Sequence, residues 1–555
     1  MTPGATPPLA CLPEAVRTPL VWGGVGKQHL ARAAKAALEL GEGVWPGLGR
    51  RLFLAAWECD PLDGALARAV RSLPGEPLPS ALGALLEAVS LGHAPPADLK
   101  YFSRLAARRD HDKLRHYLGQ QRARQPENLY WLGHELTHFL AMGDFDAAAR
   151  LAGGAFVGKL SALASKLLGD IALCRGEAEA ALAHYQGFQA VYEGASTAFG
   201  RARALALLGQ AGQAARVLAE LAAQHPWCVN ATLALSDLAG GRARERAALP
   251  GAAAVLLYTF NKAAEIEVTL RSLERSLEDA AVAGAVSRII VLDNGSTDAT
   301  PEVLGAAVGR LGADRLRLVR LPVNIGAPAA RNWLRREPEA AAAAFVVYMD
   351  DDVELPPDWL ARLAAARAAY PEAGVYGCKV VDHARPLQIQ SADLHLEALP
   401  RAPREPEDDP AGRRFEMSAL HHQVLDFGQF DYLRPCASVT GCLHLFAAKE
   451  LAACGDFDLR FSPSQFDDLD HDLRLLALGK VPVYQGHLRL PHLKRTGAVS
   501  GVGGAGYGTG FANQYKLHGK YSREELARMA DTADRAVWDD YQAKWTALHD
   551  QAILP

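Results

Sequence analysis

Tyr348-Met349-Asp350-Asp351-Asp352-Val353 sets three carboxylates directly behind the apolar run Ala340 to Val347. An apolar run closed by acids reads as a buried strand that delivers charge to its C-terminal end, where open α/β sheets bind ligands. Adjacent carboxylates repel one another unless a cation or hydrogen-bond donors stand among them, and oxygen donors suit a hard divalent metal. Asp is also common in solvated turns, so the cluster takes its meaning from its surroundings.

Upstream, Ala252 to Thr259 reads as a buried strand, Ala263 to Leu277 as an amphipathic helix and Ser287 to Leu292 as a second strand. Asp293-Asn294-Gly295-Ser296-Thr297-Asp298 makes a turn, and Thr300-Pro301-Glu302 starts a helix with Pro at its first position. Leu316 to Leu321 and Ala343 to Met349 are further strands. Strands alternating with helices from 252 to about 380 predict an α/β domain with a mostly parallel sheet. Residues 400 to 414 have almost no apolar content and read as a mobile surface loop. Val439 to Ala447 has strand character, Leu469 to Leu478 is helical and Val481 to Leu490 extended. Gly497 to Gly510 is glycine-rich and expected to be flexible, and Glu524 to His549 closes the chain as a helix.

Five groups along this segment carry chemistry: Tyr258-Thr-Phe-Asn261, Asp293-Asn294, Asn324-Ile-Gly326 with Arg331-Asn332, Asp350-Asp351-Asp352, and Gly455-Asp-Phe457-Asp458 followed by Asp467-Asp468-Leu-Asp470-His-Asp472-Leu-Arg474. Their order over residues 252 to 492 resembles the inverting, nucleotide-sugar-dependent glycosyltransferases of the GT-A fold, in particular glycosyltransferase family 2. The resemblance implies a role for each group. Tyr258, Thr259 and Asn261 would line the nucleotide-base pocket. Asp293 and Asn294 would accept the base N–H, a task open to carboxylate and amide oxygens alike; Asn294 stands where many members have a second Asp. Arg331 would grip the diphosphate through a permanently charged, bidentate guanidinium.

By the same resemblance Asp350 sits near the ribose, Asp352 binds Mn²⁺ or Mg²⁺, and Asp351 belongs to the nucleotide site with its role undecided. An inverting transfer needs one carboxylate to take the acceptor hydroxyl's proton; Asp468 is the expected base, with Asp467 as the alternate and Asp470 and Arg474 as a supporting pair. His492 would complete the metal shell or meet phosphate, with His487 as its rival, and Lys494 and Arg495 are candidate phosphate contacts. The implied function is metal-dependent transfer of a sugar from a nucleotide-diphosphate donor to a hydroxyl of a saccharide, lipid-linked glycan or protein. Cell-surface polysaccharide assembly at the cytoplasmic face is the family's commonest setting. Two rivals are a degenerate nucleotide-sugar-binding domain on an interaction scaffold, and a sugar nucleotidyltransferase. The acidic pair disfavours the first. Thr259-Phe-Asn-Lys262, which lacks the second's Gly-rich loop, disfavours the other.

Residues 1 to 125 are rich in Ala, Leu and Arg, with helical spacing in Gln28 to Leu40, Leu52 to Val70 and Leu78 to Ser90. From 126 to 237 a period of 34 relates Ala147, Ala181 and Ala215, and likewise Phe139, Leu173 and Leu207, and Leu151, Tyr185 and Ala219; Gly143, Gly176 and Gly209 fall near the expected turns. This segment resembles the tetratricopeptide repeats, helix-turn-helix units that present a concave face to a protein partner. A linker is expected at 238–251, the transferase domain at 252–500, and a Gly-rich segment with a helical tail at 501–555.

A net charge of -4 with 22% charged residues offers no basic field for nucleic acid. No apolar run reaches the roughly 18 residues of a membrane span, and the proline-containing Met1 to Val21 does not read as a signal peptide. Peripheral membrane association stays open. The eight scattered cysteines form no C-x-x-C pair, so a reducing, cytoplasmic setting is expected.

Overall fold

The computed structural model describes residues 6–108, 110–385, 387–401, 412–418, 420–421, 424–493 and 504–554. The described residues fall into two units: one comprises those up to Ala239, those between 419 and 430 and those from Tyr541, the other Gly240 to Ser418 and Asp431 to Asp540.

The first unit is helical. The apolar spacing of Leu52 to Val70 resolves into two helices, Trp45–Cys59 and Gly64–Ser72. Pro61 falls between them, and Asp63 caps the second by accepting from the Ala65 and Leu66 N–H groups. The 34-residue period becomes three helical hairpins: Leu129–Met142 with Phe145–Ala155, Ser161–Arg175 with Ala178–Gln189, and Ala195–Leu207 with Ala211–Gln224. Gly143, Gly176 and Gly209 stand at the three turns with φ of 74°, 78° and 73°, a left-handed conformation that glycine adopts without a Cβ penalty. Tyr185 is wholly buried where Gly169 and Gly200 leave room; a Cβ on either would come within 2.7 Å of its ring or hydroxyl. Residues near 429 join this unit through Asn230, which accepts from Gly24 N at 2.8 Å and donates to the Gln429 carbonyl at 2.8 Å.

The second unit is built on a mixed sheet of β1 (Ala253–Thr259), β2 (Val286–Asp293), β3 (Leu316–Arg320), β4 (Phe345–Met349), β5 (Tyr376–Asp382), β6 (Ile389–Ser391), β9 (Leu433–Pro435), β10 (Leu443–Ala447) and β11 (Val483–His492), with β7 (Leu396–Ala398) and β8 (Phe415–Met417) forming a separate hairpin. The order is β3-β2-β1-β4-β10-β5-β11-β9, with β6 beside β5. β1, β2, β3 and β4 run parallel, and β10 is antiparallel to both β4 and β5. Helices on both faces explain the near-continuous apolar strands, since Val255, Leu257, Ile289, Val291, Val347 and Leu445 are all fully buried. The expected linker contains the short turn Arg242–Arg244, and Ala247 N–H bonds the Ala361 carbonyl inside the second unit.

Strand order reverses at β1, with β2 and β3 on one side and β4 on the other. This is a topological switch point, and the loops after β1 and β4 face each other there. Leu257 of β1 pairs in register with Met349 of β4, so Lys262 and Asp350–Asp352 emerge at neighbouring strand ends. The glycine-rich stretch departs from expectation, because residues 504 onward are helical, within Gly504–Lys520. The later turns anchor it: Leu517 is fully buried and Asn513 Nδ2 donates to the Phe461 and Ser464 carbonyls at 2.8 and 2.9 Å. Tertiary contacts here override glycine's poor helix propensity.

Candidate active site

β4 delivers the aspartates to the switch point, and neighbouring backbone fixes them. Asp350 N–H bonds the Cys442 carbonyl at 3.0 Å, Leu493 N–H bonds the Asp352 carbonyl at 2.8 Å, and Val353 bridges to His492. His492 Nε2 thereby lies 3.0 Å from Asp352 Oδ1, while its Nδ1 meets Gln390 Oε1 at 2.7 Å. His492, rather than His487, is the imidazole at the aspartates. His487 sits where β11 breaks register between Gln485 and Arg489, and its carbonyl accepts from Arg362.

Lys262 occupies the centre of the aspartate cluster. Its Nζ donates to Asp351 Oδ1 at 2.7 Å and to Asp352 Oδ2 at 2.9 Å. Burial disfavours its charge, yet the two carboxylates more than offset this and hold its pKa above the usual lysine range. Burial, with Asp352 adding to it, raises the Asp350 carboxyl to about 6. Asp352 goes the other way: burial opposes its ionisation, but His492 and Lys262 bring it to about 2.

One ligand atom each from Asp350, Cys442 and His492 lies within 4.8 Å of the others, with Asp352 hydrogen-bonded to that same His492. Carboxylate oxygen, imidazole nitrogen and thiol fit a divalent transition ion. Burial raises the Cys442 thiol well above its ordinary pKa, so it is neutral here, and the hard donors are the carboxylates.

A second acidic group heads the helix Asp467–Ala477. Gln465 and Phe466, at φ of 78° and 68°, turn the chain into it through a conformation unfavourable for side chains with a Cβ. The helix then sorts its acids by partner. Asp467, 3% exposed, ion-pairs with Arg331. Asp468 is held by two backbone donors, Gly441 N–H to Oδ2 at 2.9 Å and Leu469 N–H to Oδ1 at 2.9 Å. Asp470 meets Lys520 at 2.5 Å, Tyr521 at 2.7 Å and Arg474 at 3.2 Å. Asp472 accepts from the Ser438 hydroxyl at 2.8 Å and Val439 N–H at 3.0 Å.

Arg331 joins the two acidic groups. It pairs with Asp467 and lies 3.7 Å from Asp350, with its guanidinium 5.6 Å from the Tyr258 ring centre and 5.2 Å from that of Phe457. Asn332 fixes Phe457 by exchanging two 2.8 Å bonds with its backbone. Gly441 and Cys442 link the groups a second time, since Gly441 N–H holds Asp468 while the Cys442 carbonyl holds Asp350. A Cβ at Gly441 would lie 2.9 Å from the Asp468 carboxylate.

The expected base-reading residues are largely internal. Thr259 is fully buried, and Asp293 and Asn294 are 4% and 2% exposed. Asp293 accepts from Ser296 N–H at 2.9 Å; Asn294 accepts from Ile325 N–H and donates to Asn324, each at 2.9 Å. These side chains brace the loops at the strand ends. Asn261, at φ 52°, accepts from Thr297 N–H at 2.7 Å. Lys494 and Arg495 lie outside the described residues. Sequence reasoning missed Lys262 and Cys442. Each is adjacent to a motif, but only the registers of β1 and β10 against β4 bring them to the aspartates.

Residues 254–422 match the model of the family described as Glycosyl transferase family 2. The second unit therefore carries a family 2 glycosyltransferase domain with the mixed, mostly parallel sheet of the GT-A fold. A helical N-terminal region precedes this domain.

Among solved structures the chain is similar to GalNAc-T7 crystallised with UDP, GalNAc and Mn²⁺, at 13% identity over 44% of this chain and 43% of that one, TM-score 0.34. It is also similar to S. aureus TarS, at 14% identity over 45% and 38%, TM-score 0.30. A third is the mannosyltransferase PcManGT from Pyrobaculum calidifontis in complex with GDP-Man and Mn²⁺, at 17% identity over 60% and 87%, TM-score 0.35. The chain thus spans less than half the length of the first two. No curated protein matches it significantly. The family match carries the assignment.

Proposed function

We propose that the second unit transfers a sugar from a nucleotide-diphosphate donor to an acceptor hydroxyl with inversion, in a divalent-metal-dependent reaction with Asp468 as general base. The observation that carries this reading is the division of labour between the paired acids. Arg331 pairs with Asp467 in the interior, whereas Asp468 is part-exposed and oriented by backbone N–H groups. The acceptor oxygen attacks the anomeric carbon as its proton passes to Asp468, and the bond from that carbon to the diphosphate breaks in the same displacement. Asp350, Asp352 and His492, with Cys442 beside them, are the residues that would hold Mn²⁺ or Mg²⁺. When bound, the ion supplies charge stabilisation to the departing diphosphate. Arg331, placed between Asp350 and Asp467, orients both acidic groups, and Tyr258 beside its guanidinium would line the nucleotide site.

The acceptor class is a saccharide, lipid-linked glycan or protein hydroxyl, and the assigned setting is cell-surface polysaccharide assembly at the cytoplasmic face. Among the described residues no helix is long and apolar enough to cross a membrane. The hairpins of the first unit are assigned to a protein partner. Asp468→Asn tests the base: donor binding should stay near wild type while turnover falls by roughly 10² or more. An unchanged rate would move the base elsewhere.

A further inference from the structure

Asp351 and Asp352 are 6% and 4% exposed, and neighbouring buried carboxylates need a compensating cation. Lys262 is that cation, bonded to one oxygen of each. Both oxygens of Asp352 are thereby engaged, Oδ2 by Lys262 and Oδ1 by His492. A divalent ion held by Asp352 must therefore share that carboxylate with the Lys262 ammonium or displace it.

The two partners are not equally releasable. The His492 side chain is 6% exposed, tied to Gln390 and stitched by its backbone to Val353. The Lys262 side chain is 29% exposed on a flexible stem. Its backbone, by contrast, is fixed: Lys262 N–H bonds Thr300 Oγ1 at 3.1 Å, and the preceding Asn261 is held by Ser296 and Thr297. Motion is confined to the stem, whose partial exposure gives it access to solvent.

We infer that Lys262 is a resident counter-ion of the Asp351–Asp352 pair that a divalent cation must displace, so that the wild-type chain binds the ion more weakly than its carboxylates alone would. This rests on the metal reading proposed above. An ammonium and a divalent ion on the same oxygens repel each other strongly at such range. The lysine therefore keeps the acidic cluster assembled without metal, and it raises the ion concentration at which the site fills.

The test is Mn²⁺ titration of the metal-free full-length chain, wild type against Lys262→Met, followed by the electron paramagnetic resonance signal of free Mn²⁺. The variant should bind about tenfold tighter or more. A purely structural lysine would leave affinity unchanged or weakened, and either result overturns the inference while leaving the metal reading intact. Absence of Mn²⁺ binding by both proteins overturns the two together. Amine labelling of the wild type, read by mass spectrometry at Lys262, keeps the question decidable if the variant does not fold. Labelling should rise when Mn²⁺ is added, and an unchanged or reduced rate overturns the inference.

Discussion

The two acidic groups of the site invite comparison because both bury carboxylates and both recruit a cation, yet the cations differ in kind. After β4, Asp351 and Asp352 share the ammonium of Lys262, a point charge on a part-exposed stem. At the head of the helix Asp467–Ala477, Asp467 takes the guanidinium of Arg331, which is 6% exposed and flanked by the Tyr258 and Phe457 rings. A planar, weakly hydrated guanidinium suits a permanent buried pair, whereas an ammonium exchanges more readily. The first group is built to trade its cation, the second to keep it and leave Asp468 available.

The largest effect that would break this contrast is at the metal side. Asp352→Ala should abolish metal-dependent donor turnover while the fold persists, measured as turnover against Mn²⁺ concentration together with circular dichroism; full activity would remove Asp352 from the metal shell. Next, Arg331→Ala strands Asp467 in the interior and should cost about 3–5 kcal/mol of stability in denaturant unfolding. An effect near zero would show the second pair to be as exchangeable as the first.

A pH series sharpens the contrast through the buried neutral groups beside the acids. Burial holds His444 down at about 4 and His471 well below its ordinary value, whereas the unfolded chain protonates its imidazoles near the usual 6.5 or so. Between those values the unfolded state binds more protons, so stability falls as pH drops from about 6.5 toward 4. The melting temperature should decline over that window, and His444→Asn should make the decline shallower. The smallest effect is expected from Cys442→Ser. Metal-dependent turnover should change little with Mn²⁺, but the ultraviolet cadmium–thiolate charge-transfer band of the Cd²⁺-loaded wild type should disappear. A band that persists would place the thiolate contact at another cysteine.

Much of the fold was legible in the sequence because periodicity reports burial. The apolar run before Asp350 is β4, the strand expected at Ala252 to Thr259 is β1, and the 34-residue period marks three hairpins with glycines at their turns. Hydrophobic alternation and turn chemistry are local properties, and they survive folding. The aspartate triplet and the Asp467-Asp468 pair were legible for the same reason, as unusual runs of one charge.

What the tertiary structure decided is which charge meets which. Arg331 read as a phosphate contact, and folding sets it against Asp467 and Asp350. Asn294 read as a base acceptor, and folding spends both ends of its amide on the loop at Asn324 and Ile325. Lys262 and Cys442 carried no signal as single residues. They reach Asp350–Asp352 because β4 is flanked by β1 on one side and β10 on the other. Sequence determines the stock of charges and the periods that bury them. Strand order determines their pairing, because electrostatic partners are set by distances across the sheet rather than along the chain.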